Sequence, residues 1–429
     1  MRSPTVSTQL QEIATKASQY PEWVFSTLAH RIDVDWLREA YSKLNKKGAP
    51  GLSKVTAAEY SEDLEQNLLE LHGRLKVGRY RAPAVKRVWI EKENGAKRPL
   101  GLPEFEDKIV QRSVEMLLSA IYENDFYEFS HGFRKGRSQH KALHELREQC
   151  RECNVSWLLT ADITGLFDHI DHGILQGLIK RRVSDGSIRR LIGKWLNAGV
   201  MEEDQLEYPD KGTPQGGVIS PLLSNIYLHY VLDDWFAQEV QPRLEGKCFI
   251  IRWADDFLIG FEKEADALRV KSVIPKRFEK YGLTLHAEKT SLEYFAKPTK
   301  RSGDDRKRGT FDFLGFTHYW AKSREGFAVI KKKTAGKRLR RFMRTMWLWC
   351  KEKLHDPITE QWKKLKAKLR GYYQYYGVRS NYKAIEAAYE HTKKAWRYWL
   401  SRRSQRKKVL FDFLQRHFPL PKPRIVHSI

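Results

Sequence analysis

The sequence has 429 residues, 41% hydrophobic and 12% aromatic, which is enough for two or three packed units with true cores. Its formal net charge of +25 and pI near 9.7 point to a polyanionic partner. The charge is lopsided. Residues 321–429 hold 30 Lys+Arg against 7 Asp+Glu, while the first 320 residues hold 48 against 46. A near-neutral body with a strongly basic end predicts a clamp that tracks a nucleic-acid backbone. Four cysteines in so long a chain exclude a disulfide framework and suggest a reducing compartment. No apolar run reaches membrane-spanning length, and Met1–Tyr20 lacks a signal-peptide core, so a soluble cytoplasmic or nucleoid-associated protein is expected.

In chain order, Asp33 reads as a helix cap, followed by an apolar face of Trp36, Leu37, Ala40, Tyr41 and Leu44. Lys46 to Gly51 carries turn chemistry, and Tyr60 to Leu75 is a further amphipathic stretch. A strand is expected over Ala84–Glu91, with Glu93-Asn94-Gly95 as a hairpin turn before Lys97–Pro103. Cys150-x-x-Cys153 follows His140 and His144, but without a second cysteine pair it is a weak zinc pattern. Trp157–Ile163 reads as a buried strand ending at Gly165. Gly212 to Gly217 is a glycine-rich loop that feeds a helix over Leu222–Leu232. Thr310–Tyr319 reads as a last strand, beyond which the pattern turns helical and basic. No repeat or low-complexity linker is visible, and the fold class is α+β.

The chemistry concentrates at Trp253-Ala254-Asp255-Asp256, between the apolar runs Cys248–Ile251 and Phe257–Phe261. Two buried strands would hold this pair of carboxylates rigidly at a hairpin tip. An Asp-rich turn is equally often an ordinary turn, so a third carboxylate has to decide. Asp162, at the end of the Trp157–Ala161 strand, supplies it. Asp162 and Asp255 on neighbouring strands could bridge two hard divalent ions roughly 3.5–4 Å apart, for in-line phosphoryl transfer. Asp168 and Asp171 follow Gly165 and are expected to serve turns and helix caps.

At these residues the chain resembles the bacterial group II intron-encoded reverse transcriptase and maturase family. The matching segments keep the family's order: Gly48-Ala49-Pro50-Gly51, Lys97-Arg98-Pro99-Leu100-Gly101-Leu102-Pro103, His131-Gly132-Phe133-Arg134 with Gly136-Arg137-Ser138, and Asp162-Ile163 through Phe167-Asp168. Gly212–Gly217 with Ser220-Pro221-Leu222-Leu223, the Ala-Asp-Asp hairpin, Leu283 to Thr290 and Phe313-Leu314-Gly315-Phe316 complete the set.

The resemblance implies a right-hand polymerase: an extension over 1–34, fingers and palm with an antiparallel sheet and helices over 35–325, and a basic helical thumb or maturase region over 326–429. It implies catalytic carboxylates at Asp162, Asp255 and Asp256, with the Ile163 carbonyl as a further metal ligand and two Mg²⁺, or Mn²⁺ in their place. Lys97 and Arg98 would grip the triphosphate of a deoxynucleotide, although both also suit a solvated hairpin. Phe167 would stand against the sugar 2′ position, unless it only fills the core. Gln215 and Gly216 would lie under nucleotide and template. Lys289 would protonate pyrophosphate, the alternative being a surface charge.

The same resemblance implies RNA contacts at Lys331, Lys332, Lys333, Lys337, Arg338, Arg402, Arg403 and Arg406. Trp362, Leu365 and Leu369 read as core beneath them. Partners would be structured RNA, a group II intron above all, an RNA/DNA template-primer and dNTPs. Two departures stand out: Trp253 replaces the usual Tyr, and Ser53-Lys54 replaces Asp-Gly. No HNH endonuclease is expected after the thumb. The main reading is an RNA-directed DNA polymerase that also assists intron splicing and retrohoming. A domesticated or defence-associated enzyme, or a maturase with a vestigial polymerase, are the alternatives.

Overall fold

A computed structural model of the chain describes residues 5–91, 97–202, 205–208, 210–213, 216–298, 308–403 and 409–429. The chain divides into two units: residues 1–137, 161–259 and 265–291 form the first, and 138–160, 260–264 and 292–429 the second.

In the first unit, Asp33 caps the helix Val34–Ser42 by accepting the Trp36 N–H at 2.8 Å. Trp36 and Leu37 are thereby turned into the core. The amphipathic stretch Tyr60–Leu75 falls in two helices, Ala57–Glu62 and Leu64–Lys76. Thr56 and Glu59 form a capping box at the first, and Asp63 leaves helical geometry between them. The long helix Phe105–Asp125 is the central post and buries Ile109, Val110, Val114, Leu117, Leu118 and Ile121.

Strands β1 (Val85–Glu91) and β2 (Lys97–Leu102) are antiparallel, pairing Glu91 with Lys97, so the expected hairpin exists although its turn lies outside the described residues. β3 is Trp157–Asp162. Short strands β4 (Val200–Glu202) and β5 (Gln205–Glu207) extend the first sheet in the order β2-β1-β4-β5. β6 (Cys248–Trp253) and β7 (Asp256–Phe261) are neighbours, and β7 lies next to β3 in the same sheet. The helix Ser220–Leu228 passes into a wider π-turn, His229–Asp233, where continuous α-helix was expected. Such turns rotate the following side chains.

β8 is Ser291–Tyr294, and from Leu292 on the chain belongs to the second unit. The expected strand Thr310–Tyr319 is in fact two, β9 (Phe311–Phe313) and β10 (Phe316–Lys322), folded back at Leu314-Gly315 with φ of +49° and +77°. β11 (Ala328–Thr334) pairs antiparallel with β10, so helical structure begins only at Gly336. Helices Gly336–Glu352, Ile358–Tyr376 and Tyr382–Leu400 pack around Leu365, Leu369, Tyr373, Ile385 and Trp396. The Trp396 indole donates to Gln361 at 2.8 Å, which satisfies a buried polar atom.

Asp185 ties the amino-terminal segment to the first unit. Its carboxylate accepts backbone N–H groups of Leu28 (2.6 Å), Ala29 (2.9 Å), Ser187 (2.8 Å) and Ile188 (3.0 Å). Burial alone would raise its pKa, but the four donors hold it below the ordinary carboxylate range. A depressed folded-state pKa contributes stability above the unfolded value of about 3.9, and that stability is lost as pH falls through the folded value. Asp185→Asn is expected to cost about 2–3 kcal/mol at neutral pH in chemical denaturation, with the gap from wild type closing below about pH 4. A gap independent of pH contradicts the assignment.

Candidate active site

The turn joining β6 to β7 has only two residues, Ala254 and Asp255. Ala254 adopts φ +55°, a left-handed conformation that costs a non-glycine residue about 1–2 kcal/mol. Surrounding contacts must therefore hold it. Arg252, fully buried two residues earlier, does so. Its guanidinium donates side-on to Asp233 at 2.7 and 2.5 Å, to Asn225 Oδ1 at 3.0 Å, to Ser130 Oγ at 2.7 Å and to the Ala254 carbonyl at 3.1 Å. Burial pushes the Asp233 carboxyl up, and Arg252 pulls it back. Asn225 turns its amide N–H to the Gly132 carbonyl at 2.7 Å. Gly132 in turn lies against the turn: an added Cβ would strike the Ala254 nitrogen and come within 2.9 Å of the Ala254 Cα.

Asp162 is placed by β3 and by the chain after it. The His286 N–H donates to the Asp162 carbonyl at 2.8 Å, Ile163 bridges to Leu285, and the Thr164 N–H donates to the Thr284 carbonyl at 2.8 Å. The Asp162 carboxylate forms an ion pair with Lys289 and a hydrogen bond with the Asp256 carboxyl. Three carboxyls thus meet at one end of the sheet. Burial pushes Asp255 up, Asp162 adds to the rise, and Arg98 and Lys289 oppose it. Asp256 keeps an exposed edge but is crowded on its other sides. Burial, with Asp255 and Asp162 alongside, moves it up to about 7. Two such carboxyls bond to each other through a shared proton. Among the described residues, no group of three or more His, Cys, Asp or Glu is arranged to hold a metal ion. The donor set nonetheless fits a hard cation, because crowded carboxylate oxygens are what a divalent ion would relieve.

Beside the carboxyls, a one-turn helix, Leu166–His169, carries Phe167 half-buried. The Thr213 N–H donates to the Phe167 carbonyl at 2.6 Å, and the Gly212 N–H to the Ile170 carbonyl at 2.8 Å. Phe167 lines a cavity of about 310 Å³ with Trp89, Pro99, Gly101, Trp195 and Thr213. Gly216 takes φ +111°, and its Cα faces the Gly101 carbonyl so closely that no side chain fits. Asp171 caps the helix His172–Lys180 through Ile174, as its spacing suggested.

Residues 90–318, more than half of the chain, match the family described as reverse transcriptase (RNA-dependent DNA polymerase). The chain belongs to that family. Protein YkfC of Escherichia coli (strain K12) is 36% identical over 256 residues, covering 58% of this chain and 66% of that protein. Group II intron-encoded protein LtrA of Lactococcus lactis subsp. cremoris is 40% identical over 225 residues, 51% of this chain and 37% of that protein. An uncharacterized 91 kDa protein in a cob intron of Schizosaccharomyces pombe is 34% identical over 257 residues, 58% of this chain and 31% of that protein. The matched stretch spans less than two thirds of each relative's own length. Reverse transcriptases generally use divalent metal ions.

Of the residues expected to act, Asp162, Asp255, Asp256 and Lys289 come together, with Arg98 close enough to lower the Asp255 pKa. Lys97 is exposed on β2 beside Arg98, and the Ile163 side chain is buried. Gln215 and Arg406 lie outside the described residues. In the second unit, Lys333, Lys337 and Arg402 are exposed, whereas Lys331 and Arg338 are half-buried. Lys332 is the correction: it is 2% exposed, with burial and Arg147 pushing its ammonium down to about 8. Arg403 donates to the carbonyls of Leu354 and Asp356 and so closes a loop. His140 donates to the Tyr375 carbonyl at 2.9 Å and stacks on His427, while Cys150 is buried.

Arg252, Asp233 and Asn225 are the residues that the sequence reading missed. The available signal was a lone Arg inside an otherwise apolar strand. Gly132→Ala is expected to cost about 2–3 kcal/mol in thermal or chemical unfolding, because the added methyl must displace the Ala254 backbone. A variant as stable as wild type contradicts the close approach.

Proposed function

We propose that this chain is an RNA-directed DNA polymerase of the group II intron type, copying RNA into cDNA from a primer end and dNTPs. The observation that supports it most is the meeting of Asp162, at the end of β3, with Asp255 and Asp256 at the β6–β7 turn, flanked by Arg98 and Lys289, inside the reverse transcriptase match. Asp162, Asp255 and Asp256, with the Ile163 carbonyl, would hold two Mg²⁺ ions, or Mn²⁺. Those ions would supply charge stabilisation of the in-line displacement when bound.

The protein's own groups do the rest. Arg98 and Lys97 receive the triphosphate, and Lys289 stands where it could give a proton to the leaving pyrophosphate. Phe167 presents a ring to the sugar and excludes a 2′-hydroxyl by sterics. Gly216, together with Gln215, would lie beneath nucleotide and template. The basic residues that reach solvent, Lys333, Lys337 and Arg402 first, would follow RNA phosphates without reading sequence. Lys332, buried in the protein, is dropped from that set, and so is Arg403, exposed but occupied by the Leu354 and Asp356 carbonyls.

Intron RNA is the partner this reading favours, since LtrA is named as group II intron-encoded and shares 40% identity over 225 residues. Assistance to splicing and retrohoming belongs to the same proposal.

Primer extension on an RNA template with Mg²⁺ tests the reading. Asp255→Asn is expected to lower the extension rate by roughly a hundredfold or more, with RNA affinity retained. Full activity in that variant overturns the carboxylate assignment.

A further inference from the structure

Away from the carboxyls, the first unit holds a buried polar hub that none of the chemistry above uses. Asp107 and Gln111 lie one turn apart on the helix Phe105–Asp125, 2% and 4% exposed. Asp107 Oδ1 accepts from the Tyr80 hydroxyl and from the Trp195 indole N–H at 2.8 Å, and Oδ2 accepts from the Gln111 amide at 2.8 Å. No cation offsets the charge in these contacts. Burial pushes the carboxyl up to about 6 against the three hydrogen bonds.

With its Nε2 committed to Asp107, Gln111 has only one way to turn its oxygen. That oxygen accepts the Val218 N–H at 2.7 Å and faces the Ile219 N–H at 3.4 Å. Both donors stand at the start of the helix Ser220–Leu228, which has no side-chain cap of its own. A residue from another helix therefore performs the capping that a local Ser or Asp would normally provide. Val218 follows Gly216-Gly217, and Gly216 is pressed on Gly101 of β2. Gln111 thus holds the Gly216–Val218 backbone against the strand that carries Arg98.

We propose that Gln111, oriented by Asp107, is a positioning residue for the nucleotide side of the active site. It sets the seat of the Gly216–Val218 backbone beneath the incoming nucleotide. The proposal rests on the polymerase reading given above. It separates nucleotide seating from the carboxylate chemistry: Asp162, Asp255 and Asp256 do not touch the hub, so its loss weakens nucleotide binding and leaves the chemical step in place.

The test is steady-state primer extension with dNTP varied, together with amide hydrogen exchange at Val218 in the unliganded protein. Gln111→Met is expected to raise the dNTP KM about tenfold, with kcat unchanged and Val218 protection lost. Asp107→Asn puts an amide N–H against the Gln111 amide, forces it to flip, and should reproduce the same KM effect. The double variant Asp107→Asn/Gln111→Glu exchanges donor and acceptor across the same contact. The amide introduced at position 107 then donates to the carboxylate introduced at position 111. The other oxygen of that carboxylate still receives the Val218 N–H, and KM and protection should return toward wild type. Unchanged KM with retained protection in Gln111→Met overturns the proposal, as does a double variant no better than the singles. Absence of extension by wild type would strike the polymerase reading instead, while Val218 exchange would still decide whether Gln111 holds the loop.

Discussion

Arg252 has no solvent contact, and the direction of the Asp255-Asp256 turn depends on it. A buried guanidinium is tolerated only when its donors are matched, and here Asp233, Asn225, Ser130 and the Ala254 carbonyl take them up. The contact with Ala254 is the consequential one, since that residue sits in a left-handed conformation that alanine disfavours. One side chain joins the π-turn carrying Asp233, the helix carrying Asn225 and the segment carrying Ser130 to a two-residue turn. The π-turn belongs to this arrangement, because it gives Asp233 its place opposite Arg252.

Electrostatics at the carboxyls follow from that rigidity. Asp255 and Asp256 sit together on a two-residue turn, so burial and crowding raise both, Asp256 hydrogen-bonds to Asp162, and the charges of Lys289 and Arg98 oppose the rise at Asp255. A flexible acidic loop would spread its charges into water. The site instead stores an unmet demand for positive charge, which suits it to phosphates accompanied by divalent cations.

The hairpin, the third carboxylate and the helix cap at Asp33 were legible because each is a local pattern: two apolar runs around a turn, a strand ending in Asp, an Asp three residues before a buried face. Arg252 was not legible, since its partner Asp233 is 19 residues away and meets it only through the fold. The Leu314-Gly315 turn was hidden inside a run of β-formers. Lys331-Lys332-Lys333 shows the limit of reading charge as a cluster. On a strand, successive side chains point to opposite faces, so Lys332 goes inward beside His318 while Lys333 stays in water. The resemblance implied RNA contacts at all three. The basic excess of the last quarter is real, but only part of it is available to a partner.

Replacing the Arg252–Asp233 pair by apolar residues tests most directly whether this network holds the carboxylate turn. Arg252→Met alone strands Asp233 in the core and should cost about 3–5 kcal/mol. Adding Asp233→Leu removes the stranded charge and should recover most of that stability. Primer extension by the double variant should remain far below wild type, because no donor then reaches the Ala254 carbonyl. A double variant that is stable and extends primers at the wild-type rate would contradict the account.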